Sequence, residues 1–280
     1  MEIYVARSAG FCYGVKRAIN LAKKTLEKNK VDCFTLGPII HNPSVVKELE
    51  EQGLKVVNAV TDVRKGILVI RSHGISKEEK DYLDKNGKEI LLVDATCPFV
   101  EKALVKLEIL KKEGYEIFYL GDKNHPEVKG LLSYINNQAI VFERPEDIPE
   151  KKYKKVGLIS QTTQKPEVFK RSVEKLLPLC EELRVFNTIC QTTTVRQREA
   201  KELAKKVDVM IVLGGKMSAN TKKLAEICKE ELENTYHVET VKDLKKRWFK
   251  GVKKVGITAG ASTPKEHIKE VIEFLENLGE

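Results

Sequence analysis

Short apolar runs alternate with stretches in which apolar residues recur at three- and four-residue steps, a pattern that predicts strands alternating with amphipathic helices. Three strand candidates, residues 3–6, 90–93 and 184–186, each run toward a cysteine: Cys12, Cys97 and Cys190. A helix pattern follows each time, over residues 15–28, 100–112 and 195–206. Each cysteine is therefore predicted at a strand-to-helix turn.

The next strand candidate ends in glycine in all three cases, and the spacing is held. Cys12 to Gly37 is 25 residues, Cys97 to Gly121 is 24, and Cys190 to Gly214 is 24. Four residues after each glycine stands a polar side chain, namely His41, His125 or Ser218, ahead of another helical stretch. A third strand candidate follows, over residues 67–70, 156–159 and 255–257. Each ends in a polar loop, with Ser72 and His73, Gln161 to Thr163, or Ser262 and Thr263. A period of about 90 residues is the mark of an internal repeat. It divides the chain into three similar α/β units, 1–96, 97–189 and 190–280, where length alone would suggest about two domains. The pattern leaves open which sheet takes the N-terminal strand, because each unit can be cut before or after its cysteine.

Strands alternating with helices predict parallel sheets covered by helices, and in open sheets of that kind ligands collect beyond the carboxyl ends of the strands. All the residues named above stand at such ends. Packed about a pseudo-threefold axis, the three units would aim one cysteine each at a common centre.

Composition narrows the classes. Hydrophobic residues make up 41% and charged residues 32% of the chain, the balance of a globular protein and not of a disordered one. The longest strongly apolar stretches, such as residues 67–70 and 209–213, fall far short of the roughly 20 residues that cross a bilayer. The first residues hold no signal-peptide core, so a cytoplasmic protein without a membrane span is expected. The net charge of +9 is scattered in short basic groups and favours encounter with anions. No recognition helix, zinc finger or aromatic-basic motif is present, and no nucleic-acid partner is expected.

Of the six cysteines, Cys33, Cys180 and Cys228 read as ordinary small apolar side chains. Cys12, Cys97 and Cys190 differ because they hold equivalent places near helix N-termini, where partial positive charge and free amides favour thiolate. Three thiolates and a histidine could bind zinc, yet structural zinc ligands come in close sequence pairs and these cysteines lie more than 80 residues apart. A 4Fe-4S cluster held by three cysteines leaves one iron not bound by protein. Zinc and an ordinary core stay open beside it.

The polar set around these turns, His41, His73, His125, Thr193, Ser218, Asn220 and Ser262, suits an anion with many acceptor oxygens, such as a diphosphate. Glu127 would repel such a ligand. Its place is explained if burial and anionic neighbours keep it a neutral acid that delivers a proton, or if it is a first-turn carboxylate favoured by the helix dipole.

Nine segments carry a resemblance along essentially the whole chain. They are Ala9-Gly-Phe-Cys-Tyr-Gly-Val-Lys-Arg17, Leu36-Gly-Pro-Ile-Ile-His-Asn-Pro43, Arg71-Ser-His-Gly74, Asp94-Ala-Thr-Cys-Pro98 and Lys123-Asn-His-Pro-Glu127. After them come Gln161-Thr-Thr163, Asn187-Thr-Ile-Cys190, Gly214-Gly-Lys-Met-Ser-Ala-Asn220 and Thr258-Ala-Gly-Ala-Ser262. In this order they resemble the 4-hydroxy-3-methylbut-2-enyl diphosphate reductase family, also called IspH or LytB. Ala219 falls where many members have a second serine, and Tyr13 where many have phenylalanine.

The resemblance implies a trefoil of three α/β units around a central 4Fe-4S cluster bound by Cys12, Cys97 and Cys190. It implies two-electron reductive removal of an allylic hydroxyl, giving isopentenyl and dimethylallyl diphosphates in the methylerythritol phosphate route. It assigns His41, His73, His125, Ser218, Asn220 and Ser262 to the diphosphate, Thr162 and Glu127 to the substrate hydroxyl and its proton, and Thr193 to the pocket wall. Electrons would come from ferredoxin or flavodoxin, acidic proteins suited to a basic surface. Quinolinate synthase would share the three-cysteine architecture, but it needs a dicarboxylate site, against which the histidine, serine and asparagine ring argues. A non-enzymatic metal sensor would bind metal without turnover, and nothing in the chain resembles an effector domain.

Overall fold

A computed structural model describes residues 1–278. The strands are β1 (Glu2–Val5), β2 (Cys33–Leu36), β3 (Leu54–Val57), β4 (Gly66–Ile70), β5 (Ile90–Asp94), β6 (Glu116–Leu120), β7 (Ile140–Phe142), β8 (Tyr153–Ser160), β9 (Cys180–Val185), β10 (Val209–Leu213), β11 (Thr235–Val238) and β12 (Lys254–Ala259). The α-helices are α1 (Tyr13–Lys28), α2 (Pro43–Glu51), α3 (Lys77–Asn86), α4 (Pro98–Lys112), α5 (Pro126–Ser133), α6 (Pro166–Leu176), α7 (Gln191–Ala204), α8 (Ala219–Glu231) and α9 (Lys265–Glu276). They build three four-stranded sheets in which every pairing is parallel, the α/β class expected of three similar units.

The chain divides into two compact units. One holds Met1–Lys16, Ile40–Glu48 and the residues from Gln191 onward; the other holds Arg17–Ile39 and Leu49–Cys190. The first contains a single sheet of order β1-β12-β10-β11. The N-terminal strand thus joins the sheet of the last repeat, with Ile3 opposite Val255, which settles the assignment that the sequence pattern leaves open. The second unit contains the sheets β3-β2-β4-β5 and β7-β6-β8-β9.

Each sheet has one strand more than the hydrophobic pattern predicts. The additional edge strands, β3, β7 and β11, are three or four residues long and mostly half-buried. Each runs into a 3-10 turn, Val60–Asp62, Pro145–Asp147 or Val241–Asp243. The aspartate of each turn accepts a hydrogen bond from the backbone N–H three residues back, at Ala59 (3.1 Å), Arg144 (3.2 Å) and Thr240 (3.0 Å).

Local chemistry explains the helix starts. Proline opens α2, α4, α5 and α6, where its missing N–H costs nothing and its fixed φ suits the first turn. A capping box opens α3: Ser76 N–H donates to Glu79 Oε2 at 2.6 Å, and Glu79 N–H to Ser76 Oγ at 3.2 Å.

The core follows strand alternation. Phe118 and Leu120 of β6 pack with Val156, Leu158 and Leu176 on one face, while Ile117 and Tyr119 pack with Leu107, Leu110 and Val128 on the other. Strand β10 reads Val-Met-Ile-Val-Leu and is buried throughout, as a central parallel strand covered on both faces should be. Gly157 on β8 is required by close approach, since a Cβ there would sit 2.6 Å from Leu110 Cδ2 of α4. No helix among the described residues is long and apolar enough to cross a membrane.

Candidate active site

Parallel pairing sets the cysteines beside the polar loops. Strands β1, β5 and β9 lie next to β12, β4 and β8, so the turn leaving each cysteine strand runs alongside the loop leaving its neighbour. The same hydrogen bond closes this arrangement three times. Cys12 N–H donates to Ala261 O at 3.0 Å, Cys97 N–H to Ser72 O at 3.0 Å, and Cys190 N–H to Thr162 O at 2.9 Å. Each cysteine backbone is thereby fixed to the residue next to Ser262, to the residue before His73, or to Thr162 itself. Each cysteine stands at a strand-to-helix turn as expected, but helices α1, α4 and α7 begin one residue after Cys12, Cys97 and Cys190, two, two and four residues earlier than the apolar pattern marks. Val15 N–H points at Cys12 Sγ, 3.5 Å away.

A second repeated bond fixes the glycine turns. Gly37 N–H donates to Val57 O (2.8 Å), Gly121 N–H to Phe142 O (2.8 Å) and Gly214 N–H to Val238 O (2.9 Å), so the short edge strands hold the loops that carry the next polar residues. Gly214 adopts φ +144°, and a Cβ there would lie 2.7 Å from Thr263 Oγ1, so only glycine fits.

Cys12, Cys97 and Cys190 are half-buried free thiols. The other three are separated from them by environment. Burial, aided by the neighbouring Asp32 charge, raises the Cys33 thiol; burial raises Cys180; and burial pushes Cys228 up to about 12. These three stay protonated thiols at neutral pH, with Cys33 and Cys228 buried in the apolar interior.

In the larger unit the structure brings Glu127 and Thr162 together. Thr162 N–H donates to Glu127 Oε1 at 2.8 Å, and Thr162 Oγ1 lies 2.7 Å from Oε2, with both residues buried. Glu127 is 2% exposed. Because Oε1 already accepts an N–H, a proton carried by this carboxyl belongs on Oε2, shared with the threonine hydroxyl. His125 caps α5, and its Nδ1 accepts from Glu127 N–H at 3.2 Å, which makes Nε2 the donor nitrogen of the neutral ring. The His73 ring meets it edge-on, with centroids 5.5 Å apart. Tyr119, fully buried, is raised well above its ordinary value, first by burial and then by the Glu127 charge, and remains a neutral phenol. A cavity of about 330 Å³ is lined by His73, Lys80, Asp94 and Glu101 together with Leu83, Leu104 and other apolar side chains.

In the smaller unit, Ser218 caps α8 through Oγ, which accepts from Thr221 N–H at 3.3 Å. Asn220 follows one residue into the helix, buried, its Nδ2 without a hydrogen-bond partner among the described residues. Ser262 Oγ donates to His41 O at 3.1 Å, and Asn42 Nδ2 to Ser262 O at 2.8 Å, so the loops bearing His41 and Ser262 are bonded together. Thr193 is buried in the first turn of α7. Asn42, which sequence spacing passes over in favour of His41, is the residue that caps α2, accepting from Ser44 N–H at 3.1 Å and Val45 N–H at 3.3 Å. Its signal is Pro43, which at the first helical position marks the residue before it as the cap.

The sequence profile of a family described as LytB protein matches residues 3–276, nearly the whole chain. The chain belongs to the LytB family. Among its relatives, "4-hydroxy-3-methylbut-2-enyl diphosphate reductase" of Geobacter sulfurreducens is 49% identical over 279 residues, covering 99% of this chain and 98% of that one. The reductase of the same name from Geotalea uraniireducens is 47% identical with the same coverage. Among solved structures, an (E)-4-hydroxy-3-methyl-but-2-enyl diphosphate reductase, described as the terminal enzyme of the non-mevalonate pathway, is 44% identical. It aligns with a TM-score of 0.72 over 99% of this chain and all of that one. A Plasmodium falciparum reductase is 31% identical with a TM-score of 0.91, over 99% of this LytB chain and 88% of its own.

Proposed function

We propose that this chain is a 4-hydroxy-3-methylbut-2-enyl diphosphate reductase, an iron–sulfur oxidoreductase of the non-mevalonate route to isoprenoids. The reaction consumes the allylic alcohol, two electrons and two protons, and yields isopentenyl or dimethylallyl diphosphate and water. The observation that supports this most directly is the hydrogen bond repeated at Cys12, Cys97 and Cys190, which ties the backbone of each cysteine to a polar loop.

The donor set fits a cluster. The three half-buried thiols stand at equivalent helix starts, while Cys33 and Cys228 are buried in the apolar interior. Cys12, Cys97 and Cys190 would hold it. When bound, a 4Fe-4S cluster with one iron not bound by protein supplies electrons and Lewis acidity. Glu127 carries the proton that leaves with the substrate hydroxyl, at Oε2, where Thr162 Oγ1 orients it and burial excludes bulk water. Thr162 also contacts the substrate hydroxyl. His41, Ser218, Asn220 and Ser262 in one unit, and His73 and His125 in the other, donate to the diphosphate oxygens, each bond to a charged group contributing about 1.5–3 kcal/mol. Thr193 lines the pocket.

The scattered surplus of +9 suits an acidic electron donor, ferredoxin or flavodoxin. Six free thiols suit a reducing compartment, so we place the enzyme in the cytoplasm. The working repeats are 1–96, 97–189 and 190–280, with β1 lent to the last sheet.

The test is anaerobic purification, iron counting and turnover of the hydroxybutenyl diphosphate with dithionite and a viologen dye. The expected result is a brown protein with about four irons per chain that releases both products. A colourless zinc protein, or an iron protein without turnover, overturns the assignment.

A further inference from the structure

Helix α7 carries an arginine on its buried face. Arg196 is 1% exposed, the largest fully buried side chain among the described residues. Taking a guanidinium out of water is costly, and hydrogen bonds to its N–H donors offset that cost. Here Nη1 donates to Ala259 O at 2.5 Å and Nη2 to Gly10 O at 2.9 Å. The two acceptors belong to different loops. Gly10 stands two residues before Cys12, in a left-handed conformation at φ +103°, and Ala259 ends β12, three residues before Ser262. One turn further along α7, Glu199 Oε2 accepts from Ser8 N–H at 2.8 Å, gripping the Cys12 loop a second time. Burial raises the Glu199 carboxyl, but the Ser8 hydrogen bonds and the charges of Arg7 and Arg196 outweigh it and hold the group below its ordinary value. The Cys12 N–H bond to Ala261 O completes the frame between the same two loops.

We propose that Arg196 is a positioning residue that holds the Cys12 turn and the Ser262 loop as one rigid body, so that a cluster ligand and an anion-binding loop keep a fixed relation to each other. The assignment of the two loops to cluster and diphosphate rests on the proposed function; the clamp itself rests on the bonds above. A planar fork is what reaches two carbonyls on separate loops at once. Lysine, with a single nitrogen on a flexible stem, keeps the charge but loses the bidentate geometry.

The test uses the full chain, reduced and free of metal, and follows alkylation of Cys12, Cys97 and Cys190 by peptide mass spectrometry in one reaction, so that two thiols serve as internal references. Arg196→Met is expected to speed labelling of Cys12 about tenfold and leave Cys97 and Cys190 within about twofold, the sign of local and not global opening. Arg196→Lys, the milder variant should methionine fail to fold, is expected to raise the Cys12 rate about threefold with the same selectivity. Unchanged Cys12 labelling, or an equal rise at all three thiols, overturns the proposal. In the reconstituted enzyme, Arg196→Lys should raise KM about fivefold as well as lowering kcat, since a merely less stable protein loses active molecules without changing KM. An unchanged KM also overturns it. The labelling needs neither cluster nor substrate, so selective opening at Cys12 in a chain that fails to bind iron would sink the functional reading and leave the clamp standing.

Discussion

Thr162→Val separates the proton-handling role of Thr162 from its structural one. Valine matches threonine in shape, keeps the backbone N–H that donates to Glu127 Oε1 at 2.8 Å, and keeps the carbonyl that accepts from Cys190 N–H at 2.9 Å. It deletes only the hydroxyl 2.7 Å from Glu127 Oε2. That bond involves a charged or proton-sharing partner in a site where Thr162 and Glu127 are 6% and 2% exposed, so water is poorly placed to replace it. A hydrogen bond to a charged group is worth about 1.5–3 kcal/mol, and each ~1.4 kcal/mol of barrier is tenfold in rate, which sets the expected loss of kcat at about 10- to 150-fold. The assay is viologen-coupled turnover normalised to bound iron, with KM for the diphosphate measured beside kcat. KM should hold within about threefold, because the diphosphate is assigned to other residues. Thr162→Ser, which retains the hydroxyl, should recover most of the activity. A kcat for Thr162→Val within about threefold of the parent, at equal iron content, would refute the reasoning by showing that Oε2 needs no hydroxyl to deliver its proton.

Three further outcomes follow from the same geometry. Glu127→Gln keeps the shape of the side chain but removes the ionisable group, so the substrate should bind with near-normal affinity and turn over little; unimpaired single-turnover rates would take Glu127 out of the proton path. Serine at Cys12, Cys97 or Cys190 should lower bound iron, while Cys33→Ser should leave it intact, as read by iron analysis and visible absorbance; equal loss at Cys33 would contradict the three-ligand set. Cys228, with its thiol pushed up to about 12 by burial, holds its proton where the unfolded chain has released its own. Its contribution to stability is therefore complete below the ordinary thiol range and lost as pH rises toward 12. Urea midpoints should fall less steeply across that window in Cys228→Ala than in the parent, and parallel curves would show that the buried thiol is not the source.

The sequence displays this fold well where burial is continuous. Strands such as β10, apolar at every position, and helices with a three-and-four-residue apolar step stand out, and the even spacing from cysteine to glycine exposes the repeat. It is silent where pairing is made by backbone alone. Strands β3, β7 and β11 are short and half-buried, so no apolar run announces them, although the aspartate that closes each following turn at 62, 147 and 243 is a recurrent mark. The partnership of β1 with β12 spans most of the chain and leaves no local pattern. Glu127 and Thr162 are visible as candidates, but their bond depends on β6 and β8 pairing in register. Arg196 is concealed for the opposite reason: an arginine on an amphipathic helix reads as solvent-facing, and its burial is explained by carbonyls on two loops distant in sequence.

The three cysteine turns are alike in backbone and unlike in side chain, and that division fits the chemistry proposed for them. A cluster needs equivalent ligands, and the hydrogen bonds from Cys12, Cys97 and Cys190 to Ala261, Ser72 and Thr162 use only main-chain atoms, so the same bond recurs although the acceptor residues differ. An unsymmetrical substrate needs different groups around it. The cap positions that open α2, α5 and α8 hold Asn42, His125 and Ser218, and among the described residues a loop carboxyl is bonded to a loop hydroxyl at Glu127 and Thr162. A backbone bond repeated three times thus holds each cysteine turn, while the capping residues, free to diverge because several polar side chains cap a helix almost equally well, supply the asymmetry.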